Sequence, residues 1–376
     1  MPLWDIEKVN PTTAPSLGGT SLYTLPKKGF LSGLLIRLSA TRTAGGDLTV
    51  TKWRLLQTLT KIELILNGTY DAKSIDGELA EAIQWYDTKK CNIEQNLYDA
   101  AGGTSYDCVF LSFGRKPYDP LYGLDLEKYN SAELKITNDQ STTYWSAVAA
   151  EAVYALIQRE PAVPPRGFIR SREYRKWTTV SDEWKYLDLP TEDKLRRVIL
   201  QAVPPTTLGV ETTSWLNMMY EIKYKIRSGA VSLFDANLDI LSKMNALDYG
   251  NELLMAGLVQ IGSARGIRIG VGRVSGWAGQ DGIDAASNPT VPYGIKPTPD
   301  GCLRLNAKIA DQTLGFLAKG IGPWETSVFN HDRIGDLSDL LDLAAEKVVT
   351  LDIHTRSGSD YADGTNKVVL ETLVKY

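Results

Sequence analysis

Leu124-Asp125-Leu126 is followed, after seven residues, by Leu134-x-Ile136, and the same five letters return as Leu341-Asp342-Leu343 and Leu351-x-Ile353. One offset, 217 residues (351 less 134), relates all five. Upstream the echo continues at shorter offsets. Ile62-x-Leu64-x-Leu66 with Gly68 and Ser74 matches Ile222-x-Tyr224-x-Ile226 with Gly229 and Ser232, about 160 residues later. Leu25-Pro26 leading into Leu34-Leu35-Ile36 matches Leu189-Pro190 leading into Val198-Ile199-Leu200 at an offset of 164. Three blocks in the same order, each present twice, describe two copies of one domain, and a long-period repeat of this kind governs every later inference about fold.

The repeated blocks have the texture of β-structure. Lys61–Asn67 mostly alternates apolar and polar residues up to a turn-forming Asn-Gly, and Glu221–Ser228 alternates more strictly before Gly229; each predicts a strand with one face in a core. A short helix is predicted after each. Over 74–87, Leu79, Ala82, Ile83 and Tyr86 fall at i, i+3, i+4 and i+7; after Ser232, Phe234, Leu238 and Leu241 follow the same period, continued by Met244 and Leu247. Ser or Asp stands where each needs a cap. Residues 1–20 read as an N-terminal arm with a short helical turn at Trp4–Val9. A first domain over 21–158, a proline-stiffened linker at 159–167 and a second domain over 168–376 follow. The rise in offset from 160 to 217 places 57 extra residues (217 less 160) in the second copy alone, between Tyr249 and Leu341. That glycine-rich stretch, about 250–335, is expected to be a long functional loop.

Bulk properties narrow the function. A chain of 376 residues is long enough for about two domains with full cores. Its 41 basic and 45 acidic residues are interspersed, so no basic field attracts a phosphate backbone, and specific nucleic-acid binding is not expected. Cys91, Cys108 and Cys302 are odd in number and far apart, as for reduced, buried thiols in a protein made inside a cell. The first residues lack the basic and apolar regions of a secretion signal, and no apolar run reaches the length of a membrane span. Asn67-Gly68-Thr69 matches a glycosylation acceptor but reads as turn chemistry.

The chain is poor in chemistry. Two histidines, His331 and His354, are too few for a three-histidine metal site, and His331-Asp332 lacks the further ligands a metal-dependent hydrolase needs. Gly270-Val-Gly272-Arg-Val-Ser-Gly276 has neither the spacing nor the strand–helix context of a dinucleotide site. Asp125 and Asp342 recur at one position of the repeat, which favours turn or cap roles over a catalytic pair. Trp53 and Trp215 precede the alternating strands and read as matching core positions. Trp177, Trp184, Trp277 and Trp324 lie in loop-like context; Trp277 and Trp324 are the best candidates for binding by stacking. No catalytic residue, metal ligand or cofactor site is assigned.

The patterning predicts an all-β protein with short helices: two tandem eight-stranded antiparallel jelly-roll β-sandwiches. Across about residues 20–376 the doubled blocks, together with Phe110-Leu-Ser-Phe-Gly-Arg115 and Tyr186-Leu-Asp-Leu-Pro190, resemble the double jelly-roll major capsid proteins of the tectivirus–adenovirus lineage, tailless icosahedral viruses that often enclose a membrane. The resemblance implies a homotrimer of nearly hexagonal outline in a virion shell, built from subunits made in the host cytoplasm. It implies contacts with neighbouring capsomers, with minor capsid and penton proteins and, in membrane-containing members, with an internal membrane. It also implies that the long insertion forms a tower or an inter-subunit loop, and that Trp4, Ile6 and Val9 of the arm serve assembly. Two other readings use the same fold. A carbohydrate-active hydrolase would need two facing carboxylates in a cleft, and a glycan-binding spike module would use the loop tryptophans.

Overall fold

The alternation of apolar and polar residues sets the strands. The computed structural model describes residues 3–13, 18–41, 54–91, 97–98, 104–140, 145, 150–160, 163–205, 215–250, 252–261, 268–279, 282–283, 292–297, 303–306, 312–358 and 361–376. In the first half these residues form β1 (Trp4–Val9), β2 (Thr20–Thr24), β3 (Phe30–Thr41), β4 (Leu59–Leu66) and β5 (Tyr70–Ile75), then helix α1 (Gly77–Thr88), then β6 (Thr104–Ser112), β7 (Ala132–Asn138) and β8 (Ala150–Gln158). The second half repeats the series as β9 (Gly167–Thr178), β10 (Trp184–Asp188), β11 (Lys194–Val203), β12 (Glu221–Ile226), β13 (Val231–Asn237), helix α2 (Leu238–Tyr249), β14 (Thr326–Asn330), β15 (Thr350–His354) and β16 (Thr365–Lys375).

Each half is a sandwich built on two four-stranded sheets, with Pro11–Thr13 added alongside β2 in the first. The first has the orders β1-β8-β3-β6 and β2-β7-β4-β5, the second β9-β16-β11-β14 and β10-β15-β12-β13. The order is the same in both halves once eight is added to every strand number, which is the jelly-roll arrangement the repeat predicted. The match extends to single pairings. Leu134 faces Leu64 and Ile136 faces Ile62; in the second half Leu351 faces Tyr224 and Ile353 faces Ile222. The Leu25 amide donates to the Ala132 carbonyl at 3.0 Å, and the Leu189 amide to that of Val349 at 2.9 Å. Asp125 and Asp342 each cap a short helical turn, accepting from the amides of Glu127 and Ala345, as their place in the repeat suggested.

Two local expectations need correction. Trp4–Val9 is not a helical turn; it is β1, paired antiparallel with β8 from Trp4–Gln158 to Val9–Val153. The first sandwich reaches eight strands only with this segment, whose backbone groups on one side are spent on β8. Ser232 does not cap a helix, because Val231–Asn237 continues as a strand along β12. The cap of α2 is Asn237, whose side chain accepts from the Ile240 amide at 3.1 Å; in α1, Asp76 accepts from the Leu79 amide at 2.9 Å.

Among the described residues two strand pairings join the halves. β5 and β9 pair in parallel, Lys73 with Ser171 and Ser74 with Arg172, so one sheet of the first sandwich runs unbroken into one sheet of the second. The long insertion, residues 250–325 between α2 and β14, supplies the other. Its strands at Leu253–Ile261, Val271–Gly279 and Gln312–Pro323 make a sheet whose far edge is Leu97–Tyr98, from the corresponding loop of the first half. Insertion residues Met255, Val271, Phe316 and Ile321 share a buried cluster with the first sandwich, while the second sandwich keeps a cluster of its own around Trp215, Met218, Ile222 and Tyr224.

Gly77 opens α1 against the preceding chain: a Cβ there would lie 2.0 Å from the Leu56 carbonyl oxygen. Gly77→Ala is therefore expected to destabilise the protein by about 1–3 kcal/mol through overpacking, although alanine is the better helix former. Guanidinium unfolding would measure this, and a gain in stability would contradict the packing assigned to α1.

Candidate assembly site

Helix α1 should not be buried on its composition. It carries Glu78, Glu81 and Asp87 with Asp76 at its cap, yet most of it is inaccessible. A buried carboxylate persists only with partners, and most of these partners come from distant parts of the chain. Glu81 receives Arg54 at 2.6 Å and the Trp324 indole N–H at 2.7 Å, while Arg54 also grips Asp107 at 2.6 Å. Glu78 is held bidentately by Arg268 of the insertion, at 2.9 and 3.0 Å, and by the Gln201 amide of β11 at 2.9 Å. Asp76 pairs with Lys367 of β16. Asp87 meets Arg197 at 2.6 Å and Arg196 at 2.9 Å, and Glu371 of β16 lies 3.1 Å from Arg197.

Local structure makes the last cluster possible. The register of β11 against β16 slips between Leu195 and Arg197, so consecutive arginines reach one side of a strand that otherwise alternates. The Lys73 ammonium, at the β5–β9 junction, donates to the Ser171 hydroxyl at 2.9 Å, which donates to Glu371 at 3.1 Å. Burial pulls the Lys73 pKa down to about 8 even though Glu371 and Asp87 oppose it. Burial also raises Asp87 and Glu81 above the usual carboxylate range, against their arginines. At Glu371 and Glu78 burial pushes the same way but loses: Arg197 and Arg196 hold the first below its ordinary range, and Arg268 and Lys367 the second. The cluster is a buried clasp between the halves, assembled around one helix.

The residues singled out from sequence have varied fates. Trp324 is wholly buried, beside Arg54 and over Glu81, at a turn with positive φ; it belongs to the clasp and offers no stacking surface. Trp277 lies on the strand Val271–Gly279, not on a loop, and its side chain is outside the described residues, as are Trp53 and Cys302. Trp177 and Trp184 are also on strands, β9 and β10; Trp184 stacks on His354 with ring centroids 4.8 Å apart. Trp215 is buried and its indole donates to the Gly272 carbonyl at 2.8 Å. Trp4 packs edge-on against Tyr118, Val9 is buried, and Ile6 is exposed. Asp332, Asp336 and Asp339 bring carboxylate oxygens together, but Asp332 binds Arg196 and the Leu337 amide, and Asp339 accepts from the amides of Arg333 and Ile334. No helix among the described residues is long and apolar enough to cross a membrane.

No family model matches this sequence, and no curated protein matches it. Solved structures do match, over nearly the whole chain. The major capsid protein P2 of bacteriophage PM2 superposes with a TM-score of 0.54 at 10% identity, covering 99% of this chain and 98% of its own. The STIV major capsid protein gives 0.57 at 11%, covering 98% and 96%. VP54 of PBCV-1 gives 0.55 at 10%, covering 99% and 94%. The likeness is one of fold, and that fold is the double jelly roll expected from the repeat.

Arg197→Met would strand Asp87 and Glu371 without a full complement of charge and is expected to cost about 3–5 kcal/mol in guanidinium unfolding. An effect under about 1 kcal/mol, the size typical of exposed pairs, would show that the clasp is not buried in solution. His331 gives a pH test. Its Nε2 meets the Tyr224 hydroxyl at 3.0 Å, and burial lowers its pKa from 6.5 to about 4, with Arg333 adding to the effect. The unfolded chain takes up that proton first, so stability should fall as pH drops from about 6.5 to about 4. His331→Gln should flatten this slope in denaturation curves measured across the range.

Proposed function

We propose that the chain is a viral major capsid protein, three copies of which form a capsomer of pseudo-hexagonal outline in an icosahedral shell. The observation that carries this reading is that a chain which repeats one sandwich twice with identical sheet order superposes over nearly its whole length on capsid subunits. A two-lobed subunit whose lobes are locked by buried ions is a rigid tile, and three such tiles closed about a threefold axis present six similar lobes. The insertion sheet, joined by Leu97–Tyr98, gathers long loops of both lobes at one end, which suits an outward tower. Neighbouring capsomers, minor capsid and penton proteins, and in a membrane-containing virion the internal membrane, are the partners of this reading. The virion is its location, and host cytoplasm its site of synthesis.

The role is structural, with no catalytic residue, metal or cofactor. Among the described residues the carboxylates of the clasp are engaged by arginines and lysine, and those of Asp332 and Asp339 by Arg196 and by backbone amides, which gives the hydrolase reading no support. Burial of Trp324 also removes the better described anchor of the glycan-binding reading.

Sedimentation velocity of the purified protein should give a species of three chains, and negative-stain electron microscopy should show pseudo-hexagonal particles or shells. A stable monomer at micromolar concentration with no assemblies would overturn the proposal. So would hydrolysis of a glycan panel that is abolished by a single Asp or Glu substitution.

A further inference from the structure

The two helices occupy one place in the repeat, but only one is covered. Their caps, Asp76 and Asn237, fix an offset of 161 (237 less 76), so Leu79, Ile83 and Tyr86 of α1 correspond to Ile240, Met244 and Leu247 of α2. Both helices are tethered to their own sandwich alike: the Phe110 amide donates to the Gln84 side chain at 2.9 Å, and the Val328 amide to that of Asn245 at 2.8 Å. Leu79, Ile83 and Tyr86 are buried, whereas Ile240, Met244 and Leu247 are 41%, 44% and 87% exposed. Three large apolar side chains on successive turns thus face solvent on α2, on the face that α1 buries.

Part of the cover of α1 comes from the insertion and Tyr249, which the first copy lacks; the part supplied by the second sandwich has a counterpart that identifies what should cover α2. The outer face of the second sandwich lies on α1: Ile199 of β11, Val328 of β14 and Val369 of β16 are buried in the cluster that holds Leu79, Ile83 and Tyr86, not in their own sandwich's cluster. Ile199 faces Val328 on one side and Val369 on the other. In the first sandwich the same register is held by Leu35 of β3, Phe110 of β6 and Tyr154 of β8. These three are half-buried and, with Ile6, line an open apolar groove of about 330 Å³. Strand edges tell the same story. β9 pairs with β5, but β1 and β13, their counterparts, each end a sheet among the described residues.

We infer that the exposed apolar face of α2 docks into the Leu35–Phe110–Tyr154 groove of a second copy of this chain, with β13 alongside β1, as a continuation between chains of the interface that joins the halves within one. The contact is heterologous: helix face of one copy, sheet face of the next. It gives an alternating ring of first and second sandwiches, closed at three copies in the trimeric reading. The inference rests on the trimeric reading above and names its surface and its direction.

Two substitutions at exposed positions test it without touching either core: Leu247→Glu on α2 and Ile6→Glu at the groove. Sedimentation velocity should show each variant dissociating at about a hundredfold higher concentration than the wild-type trimer, with an unchanged near-ultraviolet circular dichroism spectrum confirming the fold. Each variant keeps one intact half of the contact. Mixed in equal amounts, measured up to about 100 μM because ring closure is lost, they should form a one-to-one pair that neither forms alone. If both variants remain trimers as stable as wild type, the docking assignment falls while the trimeric reading stands. If each variant is monomeric but the mixture yields no pair, the contact is not heterologous and the assignment also falls. A monomeric wild type would overturn the trimeric reading itself.

Discussion

Four acidic side chains on and beside one buried helix set the terms for this fold. Asp76, Glu78, Glu81 and Asp87 cannot be removed from water unless Lys367, Arg268, Arg54 and the Arg196–Arg197 pair arrive from elsewhere in the chain. All but Arg54 come from the second sandwich or its insertion. The first sandwich therefore completes its burial only when the second is folded and seated. Buried ion pairs are weak evidence for stability, since apolar residues of similar volume often do as well. Their contribution here is to orientation: a sliding or rotated contact between the sandwiches would leave several charges unpaired at once.

The continuous sheet explains how the chain meets that demand. β9 follows a short proline-containing connector and adds in parallel to the exposed edge of β5, which places β16 and β11 over α1. The bulge at Leu195–Arg197 then turns two adjacent arginines toward Asp87. The insertion acts in the same direction. Its sheet borrows Leu97–Tyr98, Arg268 reaches back to Glu78, and Trp324 at its exit covers Arg54. A segment that marks where the two copies diverge in sequence thus also fastens them together.

The repeat was legible in sequence because backbone pairing and core facing impose it on both copies: Leu134–Ile136 and Leu351–Ile353 must each oppose an alternating strand. The clasp was not, because its partners lie far apart in the chain, as Asp76 and Lys367 do, and periodicity carries no information about such pairs. Hints were present in Glu81 and Gln84 inside an apolar helical pattern, and in Arg196-Arg197 interrupting an apolar strand. The misread segments, Trp4–Val9 and Val231–Asn237, are edge strands with one neighbour each among the described residues: the first alternates only over Trp4–Glu7 before Lys8 breaks the pattern, and the second does not alternate throughout. Trp324 looked like a loop residue because its backbone is in a turn; only its tertiary surroundings show that the turn is buried.

Where the copies differ is as informative as where they agree. The positions that seat α1 within the chain include Arg197 and Gln201 beside Ile199; the matching positions of the first sandwich are Gly33 and Arg37 beside Leu35. Asp87 has its arginine pair, whereas its counterpart Asp248 is exposed at the end of α2. Inside one covalent chain, a costly buried ion network can form because folding brings its members together once and for all. Between separate chains the same desolvation cost would fall on every association step, and a mispaired charge would be hard to correct. In the contact proposed between chains, an apolar face on an apolar groove with ions kept to the rim avoids that cost and lets an association that is wrong be reversed.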